Sequence, residues 1–171
     1  MSKRDLKLYL ASLDKEQIEL QLLALYDKFS DVKTYYNFVF HPKEEQLVRE
    51  AKLKISNEYF PLTTKRAKLR RSTAQKYIKH FLVLGVDPFA VGDVMLFAIE
   101  VALKYTAKRD IRYVSYYKSI LNSFGQVVNY CIVNGLVGEF KIRLMAVVNE
   151  VLIQKWENRF EFERIMEQFD T

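Results

Sequence analysis

The chain has 171 residues, half of them apolar, with 27 Lys and Arg against 21 Asp and Glu and a single cysteine. That size and apolar share suit one globular domain, while one cysteine allows neither an intrachain disulfide nor a thiolate zinc cage. No apolar run approaches the roughly 20 residues that span a bilayer, and Met1-Ser2-Lys3-Arg4-Asp5-Leu6 has no leader-like apolar core or cleavage site. The expectation is a cytoplasmic protein with no membrane role.

Three prolines and five glycines leave long stretches without helix breakers, and their apolar spacing is helical rather than alternating. Ser2 and Asp14 are placed to cap two successive helices, Asp14-Lys15-Glu16-Gln17 having the form of a capping box. The first helix carries Leu6, Leu10 and Leu13, and the second Ile18, Leu22, Leu25, Tyr26 and Phe29. Asp31 starts a short aromatic helix with Tyr35, Tyr36, Phe38 and Phe40, and His41-Pro42 restarts the chain. A helix over 43–58 buries Leu47, Val48, Ala51 and Ile55 before Pro61 ends it.

A basic loop follows, and Ser72 or Thr73 caps the next helix, with Tyr77, Ile78, Phe81, Leu82 and Leu84 inward and Gly85 as a left-handed stop. Asp87-Pro88 opens a helix over 89–105 that is apolar nearly all round, the pattern of a central helix. Tyr113, Tyr116, Tyr117, Ile120, Leu121, Phe124, Val127, Val128, Cys131 and Ile132 keep helical spacing until Asn134-Gly135. Another helix carries Phe140, Leu144, Val147, Val148, Val151, Leu152 and Trp156, and a last segment beyond Asn158 carries Phe162, Ile165, Met166 and Phe169. The expected architecture is all-α: a single domain over 1–171 of about seven or eight helices packed as antiparallel pairs.

The opening Lys-Arg-Asp-Leu-Lys-Leu-Tyr-Leu, the run Tyr35-Tyr36-Asn37-Phe38-Val39-Phe40-His41-Pro42-Lys43-Glu44, the phrase Ala51-Lys52-Leu53-Lys54-Ile55-Ser56 and Arg71-Ser72-Thr73-Ala74-Gln75-Lys76-Tyr77-Ile78-Lys79-His80-Phe81 resemble a family of small uncharacterised proteins, mainly from Bacteroidetes-type bacteria. The resemblance covers essentially the whole chain. It implies a bacterial, cytosolic setting and brings no activity or catalytic residues with it.

The chemistry on offer is limited. The two histidines, His41 and His80, lie in no H-E-x-x-H or di-iron spacing, and no G-x-G-x-x-G or Walker pattern occurs. No metal or cofactor is expected. Cys131 sits on an apolar stripe, the setting of a small buried hydrophobe rather than of a nucleophile. Asp93, Glu100 and Lys104 share one side of the central helix, which reads either as a solvent-facing stripe stitched by Glu100 and Lys104 or as the edge of an acid–base cleft.

The feature above that level is charge. Between Tyr59 and Val86 lie Lys65, Arg66, Lys68, Arg70, Arg71, Lys76 and Lys79 and no acidic residue, so this window carries +7 in a chain of net +6. Most of these side chains precede a helix N-terminus, where hydroxyl and amide donors also suit an anion. A second basic group, Lys104, Lys108, Arg109, Arg112 and Lys118, is interleaved with Tyr105, Tyr113 and Tyr117, a mixture that can hold phosphates and stack bases.

The sequence therefore predicts a non-enzymatic binding protein, with sequence-tolerant nucleic-acid binding through these residues as the leading expectation. A helical interaction scaffold or homodimer meeting an acidic protein is the alternative, and an enzyme with a cleft at Asp93 and Glu100 comes third. The deciding question is whether the two basic groups share a concave face.

Overall fold

The computed structural model describes residues 2–63 and 66–167. Among these the backbone forms nine helices and no strand: α1 (Lys3–Ala11), α2 (Lys15–Lys28), α3 (Ser30–Phe40), α4 (Glu44–Tyr59), α5 (Arg71–Leu84), α6 (Pro88–Thr106), α7 (Val114–Val133), α8 (Val137–Ile153) and α9 (Arg159–Glu167). The all-α expectation holds, with nine helices among the described residues against about seven or eight expected. The contacts gather into two compact units, Met1–Lys43 and Glu44–Thr171. No helix among the described residues is long and apolar enough to cross a membrane.

In the first unit, local chemistry sets the helix ends. Ser2 exchanges hydrogen bonds with Asp5, and Asp14 with Gln17, so that two capping boxes satisfy amides at the starts of α1 and α2. α3 begins at Ser30 rather than Asp31, after Phe29, and has no side-chain cap. Tyr36 organises an aromatic cluster, 5.4 Å from Tyr35, 6.5 Å from Tyr26 and 6.0 Å from Phe40 between ring centroids. None of the three helices has a buried residue, and Leu8, Leu20, Leu23 and Phe40 are well exposed.

The second unit is built around α6, which packs against α4, α5, α7 and α8. Val91, Val94, Leu96, Ile99, Val101, Ala102 and Leu103 are all buried, as its nearly continuous apolar sequence requires. Its start is fixed by Pro88 in the first turn and by the Asp87 carboxylate, which accepts from the amides of Phe89 and Ala90. Gly92 lets Phe140 of α8 approach closely, since a Cβ there would lie 3.2 Å from the Phe140 ring. Gly85 ends α5 in the left-handed region at φ 73°, as expected.

α7 and α8 close the core with Ile120, Phe124, Val127, Val128 and Cys131 from one and Phe140, Leu144, Val147, Val148 and Val151 from the other. α9 adds Phe162 and Met166. Edge-on aromatic contacts tie these pieces together, Tyr117 to Trp156 at 4.8 Å and Trp156 to Phe162 at 5.9 Å.

Candidate functional site

The loop between α4 and α5 is tied at Glu58. Its carbonyl accepts from the Lys68 and Leu69 amides at 2.8 and 3.1 Å. Its carboxylate takes Arg70 Nε at 3.0 Å and Nη2 at 2.9 Å, and the Thr73 hydroxyl at 3.1 Å. Hydrogen bonding to the Arg70 guanidinium holds the Glu58 carboxyl below the usual range. Leu69 adopts φ 54°, a left-handed conformation that costs a non-glycine residue roughly 1–2 kcal/mol. The paired amides and the packing of Leu69 against the core hold it there. The loop is thus pinned at both ends.

This arrangement divides the basic residues. Arg70 is engaged by Glu58, and α5 begins at Arg71 with Arg70 in the capping position, so neither Ser72 nor Thr73 caps it. The Thr73 hydroxyl is drawn instead to the nearby carboxylate. Arg71 is half-buried and donates through Nη1 to the Ser119 carbonyl at 2.7 Å and to the Ser123 hydroxyl at 3.3 Å, joining α5 to α7. Arg70 and Arg71, both expected at an anion site, are thus held by partners within the fold. Lys68, Lys76, Lys79 and Arg112 are exposed and do not line the concavity described next. Lys65 lies outside the described residues.

Arg66 has a different setting. It lines a concavity of about 590 Å³ together with Lys108 and Arg109, from the second basic group, and with Tyr59, Phe60 and Tyr105. Members of the two groups, more than forty positions apart in sequence, thus meet on one concave face. The aromatic wall is interlocked: Tyr59 and Phe60 contact the Tyr105 ring edge-on at 5.9 and 5.8 Å, and the Arg109 guanidinium lies 5.6 Å from its centroid. Burial pushes the Tyr59 phenol above its ordinary range, so it stays neutral.

The concavity adjoins the C-terminal ends of α4 and α6, and a helix C-terminus carries about half a negative charge. Two such ends offset about one of the three positive charges of Arg66, Lys108 and Arg109 and leave about two in excess. Among the described residues, none that lines the cavity is acidic. Such a site can hold phosphate oxygens by charge and place a flat ring against Phe60 or Tyr105. Tyr105 is the one interleaved tyrosine that contributes; Tyr113 is exposed and Tyr117 packs on Trp156. Sequence reasoning missed Tyr59 and Phe60, although an aromatic pair just before Pro61 at the mouth of an acid-free loop was a usable signal.

Asp93 and Glu100 form neither a stripe stitched by Lys104 nor an unpaired carboxylate dyad. Arg143 of α8 takes both: Nη1 reaches Asp93 Oδ1 at 2.8 Å, while Nε and Nη2 bond the Glu100 oxygens at 2.9 and 3.0 Å. Lys52 of α4 completes the group, 2.6 Å from Asp93 Oδ2. The planar guanidinium matches a carboxylate in a way that the ammonium of Lys104 cannot. Burial raises the Asp93 carboxyl, but hydrogen bonds and charge from Lys52 and Arg143 outweigh it and leave the group below its ordinary value.

Cys131 is fully buried, and desolvation pushes its thiol up to about 11. Among the described residues no group of histidine, cysteine, aspartate or glutamate side chains is disposed to hold a metal ion.

Compared with known proteins, the chain matches the model of a family of unknown function (DUF6155) over residues 1–170. No curated protein and no solved structure matches it.

Proposed function

The chain belongs to this family of unknown function, and we propose that it is a binding protein for single-stranded nucleic acid, without strong sequence preference, acting through the concavity of Arg66, Lys108 and Arg109. The observation that carries the reading is the convergence of these three cations with Phe60 and Tyr105 in one acid-free hollow. Charge supplies affinity for any phosphate backbone, and aromatic rings accept any base face. The engagement of Asp93 and Glu100 by Arg143 and Lys52 supports a structural rather than a catalytic part for them. The reading keeps the bacterial, cytosolic setting that the family resemblance implies. Its test is titration of a short single-stranded oligonucleotide at several salt concentrations, for the wild type and for a variant with Arg66, Lys108 and Arg109 replaced by glutamine.

A second reading, homodimerisation through α1–α3, is favoured by the absence of any buried residue in those helices beside the apolar hollow of Leu22, Leu23, Tyr26, Tyr36 and Phe40. Sedimentation showing a monomer at high protein concentration removes it.

A further inference from the structure

Phe60 and Lys108 line a second concavity as well as the basic one. The second measures about 480 Å³, and Phe60, Leu103, Ala107, Ala146 and Val147 give it an apolar wall. This volume lies within the range of about 300–1,000 Å³ typical of small-ligand sites. The acidic groups at its border are already engaged: Glu100 holds Arg143 at 2.9 and 3.0 Å, and Glu150 accepts from Gln154 at 2.7 Å. A flat uncharged ring entering here would bury apolar surface beside the paired Glu100 carboxylate.

The neighbouring hollow has the complementary chemistry, with three cations and no acid among the described residues that line it. A ligand that matches both carries an anionic group and a flat ring a short distance apart, which describes a nucleotide unit. Resting on the phosphate-binding reading above, we infer that the two hollows form one bipartite site: a nucleobase occupies the apolar hollow against Phe60, and its phosphates pass over Lys108 toward Arg66 and Arg109. Phe60 is then the shared wall and Lys108 the shared cation. Phosphate contacts position such a strand, and the hydrocarbon pocket adds affinity for a base without reading its edge.

The experiment compares three probes on the full chain: a short single-stranded oligonucleotide, an abasic sugar–phosphate strand of equal length, and a free nucleoside monophosphate. The base-bearing strand should bind the wild type roughly tenfold tighter than the abasic one, with the same salt slope, since the difference is stacking and not charge. Ala146→Trp fills the apolar hollow from an exposed position of α8, so it should abolish that preference and leave the slope unchanged. Equal wild-type affinity for the two strands overturns the bipartite site without needing any variant, as does a full preference retained in a folded Ala146→Trp protein. Absence of binding by either strand at low salt overturns the phosphate-binding reading itself. A monophosphate that binds as tightly as the strand supports the bipartite site and identifies a free nucleotide as its source.

Discussion

Arg70 grips Glu58 with two parallel hydrogen bonds, Nε to Oε2 at 3.0 Å and Nη2 to Oε1 at 2.9 Å, across the base of the loop that carries Arg66. The pair gives Arg70 a task in the fold and leaves Arg66 as the described arginine of that loop that faces the hollow. Arg70→Gln should therefore lower stability by a small, measurable amount, as for an ion pair whose arginine is solvent-exposed, and leave the salt dependence of oligonucleotide binding unchanged. Chemical unfolding measures the first effect and a salt titration the second. A slope flattened by about 0.7, the loss of one single-strand phosphate contact, would put Arg70 on the ligand instead.

Asp93 in the Arg143 cluster contributes to the acid dependence of stability, beside the lowered Glu58 carboxyl. Asp93 titrates below its ordinary value in the folded protein, so its contribution is fully present above the unfolded value of about 4 and disappears as pH falls through the lower folded one. Unfolding free energy should be flat near neutral pH and fall below about pH 4, and the fall should be shallower in Asp93→Asn. Arg143→Met should cost about 2 kcal/mol at neutral pH, because Glu100 loses its bidentate partner and Asp93 keeps only Lys52. An acid limb that is identical in wild type and Asp93→Asn contradicts this assignment.

Cys131 should react slowly in the native state. Its side chain is fully buried, and with a thiol pushed up to about 11 only about one molecule in a thousand carries the reactive thiolate at pH 8. A thiol reagent should label the native protein far more slowly than the denatured one. Fast labelling under native conditions would mean that the α7–α8 core opens readily.

Features that depend on neighbouring residues were legible in the sequence. The Ser2 and Asp14 caps, the Gly85 stop, the Asp87-Pro88 start and the apolar girth of α6 all stand as read, because each effect acts within a turn or two. The site was legible only in part. A run of basic residues shows charge but not its partners: Glu58 meets Arg70 across 12 positions, and Ser119 meets Arg71 across 48. Arg143 and Asp93 lie 50 apart, so the stripe on α6 could not reveal that its cation comes from α8. The same long-range folding brings Arg66 to Lys108, a juxtaposition that helical periodicity does not specify.

The central claim is that Arg66, Lys108 and Arg109 bind the phosphates of a single strand, and the salt dependence of binding tests it most directly. Each phosphate neutralised on a single strand contributes about −0.7 to the log–log slope, so three cations give at least roughly −2. The wild type should show that slope, and the variant with all three replaced by glutamine should be flatter by about 2, with weakened binding to every sequence and unchanged helicity and melting. No wild-type binding at low salt, or a slope that the triple substitution leaves intact, contradicts the account.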